Sequence, residues 1–257
     1  MSEQNKGKTT SSASTIIATA IVALAAVAAI IVLIVMSKKP GDGRQDMQNN
    51  VVVESAGGQD FIDECGENAQ RLVQGNYRIV RLFISEGLPY RDEPYGNRPE
   101  DRLYTVNSEE FKTFDDVMTL VKSVFVEDEA NRILMRMPLD PAAAYGVGGN
   151  PEEAQLISVY WTRDEYVDAS DTSAGGSGYV KQTVLGISER FKPYTDYKKP
   201  WGSTSIRIVP VNEEECDITI YLGADKDVDL SSVEDSDILT TKMVKVNGEW
   251  RLTKLVF

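Results

Sequence analysis

The sequence predicts an α+β domain carried behind a single membrane-spanning helix. Three observations predict it. Residues 15–36, TIIATAIVALAAVAAIIVLIVM, run for 22 residues without a charge, which at helical rise spans roughly 30 Å, the depth of a bilayer core. Between Phe61 and Phe125 the apolar residues fall mainly at helical spacing. Towards the C-terminus they alternate instead, so helices come first and a run of antiparallel strands last. A bent sheet around an amphipathic helix is the expected architecture.

The elements follow in order. Residues 1–14 are polar and rich in Ser, Thr and Lys, and read as a disordered tail. The span 15–36 is too long for the apolar core of a cleaved signal, and cutting within its alanines would leave IIVLIVM at a mature N-terminus, so an uncleaved anchor is expected. Basic residues are nearly balanced on its two sides, and charge alone does not orient it. Pro, Gly and Asn make residues 37–58 a linker, to which Val51–Val53 adds at most a short strand. The folded domain is expected over residues 59–257.

Phe61, Cys65, Ala69, Leu72 and Val73 mark a first helix that Gly75-Asn76 should end. The following YRIVRLFIS is a strand or a second helix, its Ile, Val and Phe favouring strand. A second amphipathic helix starts at Thr113, whose side chain caps it with Asp116 three residues on. Asp115 and Asp116 at its start and Lys122 near its end suit the helix dipole. Phe114, Val117, Met118, Val121, Val124 and Phe125 give it a core-packing stripe. LISVYWTRDEYV, TSIRIVPV and CDITIYL read as strands, and ILTTKMVKVNGEWRLTKLVF as two more around a hairpin turn at Asn247-Gly248.

Composition excludes several chemistries. The chain has no histidine, which rules out Ser-His-Asp and Cys-His catalysis by its own residues and any histidine metal site. Residues 1–44 hold five of the 27 basic and two of the 40 acidic residues, so the remainder carries a net −16 and should repel nucleic acid. Asp225, Asp227 and Asp229 have calcium-loop spacing, but Leu230 and Ser236 occupy the positions where an EF-hand requires Gly and Glu. Carboxylate pairs such as Glu127/Glu129 and Glu213–Glu215 are expected in any chain this acidic and read as solvated charge runs. Neither a metal nor a cofactor is expected. Cys65 and Cys216 both take core-facing positions, as two buried thiols or as a disulfide. The acids around them suppress thiolate formation and argue against a nucleophilic role.

Two aromatic segments are the candidate binding elements. GLPYRDEPYGNRPEDRLY carries Tyr90, Tyr95 and Tyr104; FKPYTDYKKPW carries Tyr194, Tyr197 and Trp201. Tyr and Trp recur at binding hot spots, and the prolines limit the entropy lost in presenting them. Protein or glycan contact is one reading; tyrosines covering the ends of the sheet is the other.

LYTVNSEEFKTFDDVMTLVKSVFV, the preceding GLPY and the closing VNGEWRLTKLVF resemble segments of the DL-endopeptidase inhibitor (IseA-like) family of Gram-positive cell-envelope proteins. The chain departs from that pattern by an insertion around residues 138–180 and by its anchor. The resemblance implies a cystatin- or NTF2-like α+β domain, extracytoplasmic with the N-terminus inside. It also implies no catalysis and an envelope-protein partner such as a peptidoglycan hydrolase, which the domain would regulate or inhibit. An NTF2-like pocket for a small ligand or cell-wall glycan and a carboxylate-dependent envelope enzyme are the alternatives.

Overall fold

The computed structural model describes residues 48–54, 58–95, 102–138, 156–168, 178–224 and 227–257. The expected tail, membrane span and most of the linker lie outside the described residues. Among the described helices none is long and apolar enough to cross a membrane.

The architecture is mixed α+β with a helix-rich region and a curled sheet. Helix α1 (Gln59–Val80) buries Cys65, Ala69, Leu72, Val73, Ile79 and Val80. These join one core with the inward residues of a five-stranded sheet, among them Ile206, Ile208, Ile218, Ile220 and Met243. That sheet, A, is ordered β1 (Gln48–Val53), β8 (Ser203–Asn212), β9 (Glu215–Leu222), β10 (Ile238–Val246), β11 (Glu249–Leu252). A second sheet, B, is ordered β2 (Tyr90–Tyr95), β3 (Leu103–Val106), β7 (Tyr179–Ser188), β6 (Tyr160–Asp168). A two-stranded pair joins β4 (Met137–Pro138) to β5 (Leu156–Ile157). The described strands thus divide among these sheets, with β1 the one parallel edge of sheet A.

Two expectations about the N-terminal half are corrected. Gly75-Asn76 does not end the first helix, and residues 77–85 are helical rather than a strand: α1 runs on and closes in a π turn, Arg81–Ser85. Tertiary contacts override the local breakers. The Asn76 amide is fully buried, and it donates to the Val256 carbonyl at 2.7 Å while accepting from the Val256 N–H at 3.1 Å. A side chain at Gly75 would run into Val124, so glycine is what lets the two helices cross. Within the expected linker, Gln48–Val53 is a full edge strand, pairing parallel with β8 from Gln48↔Ser203 to Val53↔Ile208. The Glu54 carboxylate then takes two 2.8 Å hydrogen bonds from the Arg207 guanidinium.

Helix α2 (Phe114–Val124) begins with the expected capping box: Asp116 N–H donates to Thr113 Oγ1 at 3.3 Å, and Thr113 N–H to the Asp116 carboxylate at 2.8 Å. Its end is pinned to β11 by a Phe125↔Leu252 bridge and by Val126 N–H donating to Leu252 O at 3.0 Å. Helix α3 (Glu127–Met135) follows at once. Here Glu129 is no solvated charge: it is buried, accepts from the Leu255 N–H at 2.6 Å and pairs with Arg132. At the hairpin, Asn247 (φ 52°) and Gly248 (φ 83°) both take the left-handed conformation a tight two-residue turn demands.

The same substitution at two positions of α1 is expected to have opposite signs. Gly75→Ala overpacks the helix crossing and should cost about 1–3 kcal/mol. Gly66→Ala meets Val51 and Val53 only at an ordinary 3.8 Å and gains helix propensity, up to about 1 kcal/mol. Urea denaturation of both variants checks the pair. A pH series tests the cap. Hydrogen bonds, led by that from the Thr113 backbone, hold the Asp116 carboxyl below the usual range. Its stabilisation should therefore be complete above the ordinary aspartate range and fade as pH falls through the lowered value. The stability gap between wild type and Asp116→Ala should close in that acidic window.

Candidate functional site

The six expected contact residues fall into two groups on different elements. Tyr194, Tyr197 and Trp201 lie on the segment that enters β8, which is tied to the π turn by Tyr194 N–H donating to Ile84 O at 2.7 Å. Trp201 is only 2% exposed. Its ring stacks on Tyr77 of α1 at 5.0 Å, and its indole N–H donates to the Tyr197 hydroxyl at 2.7 Å. Burial raises the Tyr197 phenol well above its ordinary pKa. Trp201 therefore seals the end of the core.

Around these rings the surface dips into an open groove of about 320 Å³, with Tyr77, Tyr194 and Tyr197 on its walls. Its charges are already engaged. Arg81 holds Glu86 through two hydrogen bonds of 2.7 and 2.6 Å, and Lys199 sits 3.1 Å from Asp237. A second open groove, about 450 Å³, lies on the other side of sheet A beside Arg207 and Tyr221. There the Arg207 guanidinium is held by Glu54.

Tyr90 and Tyr104 form the other group. They lie on adjacent strands of sheet B rather than in a loop, and their rings stack at 4.6 Å. The Tyr104 hydroxyl donates to Glu189 at 3.5 Å, and its phenol is raised by burial first and by Glu189 next. Tyr90 is 50% exposed. Tyr95 pairs with Leu103 in the β2–β3 register; its side chain lies outside what is described.

Sheet B shows what the sequence reading missed. Along one face, Tyr160 opposes Ile187, Thr162 opposes Leu185, and Asp164, Tyr166 and Asp168 oppose Thr183, Lys181 and Tyr179. Tyr104 opposes the same Ile187, so it shares that face. The near end is core: Tyr160, Leu185 and Ile187 are buried, and the Tyr160 hydroxyl donates to Leu82 O at 2.7 Å. The far end overhangs. Tyr166 and Tyr179, diagonal neighbours on that face, are 63% and 78% exposed, with a Lys181–Asp164 ion pair of 2.8 Å beside them. Trp161, 46% exposed, stands on the opposite face of the same ribbon. The available signal was strand alternation in YWTRDEYV, which sets Tyr166 in phase with Tyr160 but among polar residues.

Among the described residues no group of three or more acids or cysteines could hold a metal ion. Asp229 of the acidic loop caps its own turn, accepting from Ser231 N–H at 3.0 Å, which holds its carboxyl below the usual range. Asp225 lies outside the described residues. No family model matches the chain, and no curated protein is significantly similar to it.

Burial separates the two groups energetically. Trp201→Ala should cost about 3–5 kcal/mol by leaving a cavity under Tyr77. Tyr90→Ala, half in water, should cost about 1 kcal/mol or less. Denaturant midpoints of the two variants give the comparison; equal losses would contradict the assignment of Trp201 to the core.

Proposed function

We propose that the chain is a membrane-tethered, non-catalytic binding domain of the cell envelope, anchored through residues 15–36 with its α+β domain outside. The overhanging end of sheet B is its recognition surface. The observation that carries this reading is the exposure of Tyr166 and Tyr179 side by side on a face that is core elsewhere. Tyrosine offers large contact area with few rotatable bonds, so fixing it costs little entropy. The strands beneath hold both rings in register. The Tyr90–Tyr104 stack adds an aromatic pair nearer the core end of the same sheet.

The resemblance to the DL-endopeptidase inhibitor family suggests a peptidoglycan hydrolase as partner and steric occlusion as the mechanism. Such a domain would be a cystatin- or NTF2-like body used as a platform. The acidic composition of residues 45–257 would steer a basic catalytic domain towards it, which makes association sensitive to salt. The groove beside Tyr77, Tyr194 and Tyr197 favours a second reading, a small ligand or cell-wall glycan held against aromatic walls. A rise in melting temperature with muropeptides, abolished by Tyr194→Ala, would mark it.

The decisive experiment uses the full chain in detergent as bait for envelope extract, with mass spectrometry after low-salt and high-salt washes. A peptidoglycan hydrolase should be retained at low salt and released at high salt. Tyr166→Ala/Tyr179→Ala should weaken its binding about tenfold or more without changing the melting temperature. Wild-type affinity in that double variant would remove sheet B from the interface.

A further inference from the structure

Cys65 is the first fully buried residue of α1, and Cys216 lies on β9, the middle strand of sheet A. Both sulfurs are completely buried, 3.7 Å apart, in residues 151 positions apart in sequence. They are unbonded thiols here. Reaching the roughly 2.05 Å of an S–S bond needs the two sulfurs to close by about 1.7 Å. No third sulfur, nitrogen or carboxylate ligand joins them among the described residues, so a metal site is not the explanation for the pairing.

The two ends of α1 are held differently. Its C-terminal half is fixed by the Asn76–Val256 hydrogen bonds and by the crossing with α2 at Gly75. Its first turn has no side-chain cap, and the N–H groups of Phe61 and Ile62 donate to the Gly58 carbonyl at 3.1 and 3.2 Å. Near that end the helix is tied to sheet A by Glu64, which takes the Lys245 ammonium at 2.7 Å and the Trp250 indole N–H at 2.9 Å. Lys245 and Glu64 both reach water, so salt weakens that tie. A covalent link one residue on would not be weakened.

We propose that Cys65 and Cys216 are a disulfide-forming pair whose bond locks the uncapped end of α1 onto sheet A. The oxidant is a small-molecule or protein disulfide. One cysteine, as thiolate, attacks it and releases one thiolate of the donor, leaving a mixed disulfide. The second cysteine, also deprotonated, attacks the protein sulfur of that mixed disulfide, closes the Cys65–Cys216 bond and expels the second donor thiolate. Two electrons pass to the donor and two protons to solvent or the departing thiolates. Burial suppresses both thiolates in the folded domain, pushing the Cys216 thiol up to about 12. Because both sulfurs are shut off from solvent once α1 has docked, the exchange takes place before docking is complete.

The test needs no knowledge of ligand or membrane orientation. The full chain in detergent is unfolded under reducing conditions, then refolded with reductant alone or with a mixture of oxidised and reduced glutathione. Both products are denatured, treated with N-ethylmaleimide and weighed. The expected oxidised product takes up no maleimide and is about 2 Da lighter than the untreated reduced chain. Its melting temperature should rise by about 10 °C or more relative to the reduced fold, as closure of so long a loop implies. Cys65→Ala and Cys216→Ala should each abolish the rise. Two maleimide adducts, or a glutathione adduct, on a chain refolded to the reduced protein's circular dichroism would overturn the pairing. A bond formed without a gain in melting temperature would overturn its role as a lock. If the alanine variants fail to fold, the wild-type masses decide alone.

Discussion

The paired hydrogen bonds between the buried Asn76 amide and the Val256 backbone hold together segments 180 residues apart. A buried amide without partners would cost more than most core contacts supply, so the C-terminal strip must pass where Asn76 waits for it. Once there, the strip organises its surroundings residue by residue. Leu252 receives Phe125 and Val126 from the end of α2, Leu255 donates its N–H to Glu129 of α3, and Phe257 packs against Tyr197. Three helices and the segment entering β8 are thus placed by six residues of chain. Gly75 supplies the complementary condition, since α2 could not come close enough to deliver Phe125 if that position carried a side chain.

This arrangement divides labour between the sheets. Sheet A gives its inward face to α1 and carries much of the core; sheet B contributes Tyr160, Leu185 and Ile187 at one end and leaves the other in water. Substitutions on the overhang have few buried neighbours to disturb. Recognition chemistry placed there is largely uncoupled from stability, whereas the aromatic segment around Trp201 is bound up with it.

How much of this was legible in the sequence depended on whether the deciding contact was local. The α2 cap was readable because Thr113 and Asp116 bond each other three residues apart. The Asn247-Gly248 turn was readable because its backbone angles are a property of those two residues. The continuation of α1 was not, because what rescues Gly75 and Asn76 arrives from Val124 and Val256. Glu129 looked like one solvated acid among many for the same reason: its partner is a backbone N–H near the C-terminus. Of the six candidate residues, composition picked out the exposed Tyr90 and the buried Trp201 alike, because the burial of Trp201 depends on Tyr77, far away in sequence. The sequence reading passed over Tyr166 and Tyr179 because alternation reveals which face a strand residue takes, not where the core beneath that face stops.

The parallel placement of β1 has a mechanical consequence. Any pull on the chain ahead of Gln48 reaches the domain through this strand, which is zipped to β8 from Gln48↔Ser203 to Val53↔Ile208 and clasped at its far end by Glu54 and Arg207. Tension along the strand axis loads all those pairs at once, in shear, so they must fail together. Tension across the axis opens them one after another from Gln48. If the chain ahead of Gln48 is the tether proposed above, the domain would withstand drag along one direction and peel under a far smaller force along another, and β1 would serve as a direction-dependent mechanical fuse.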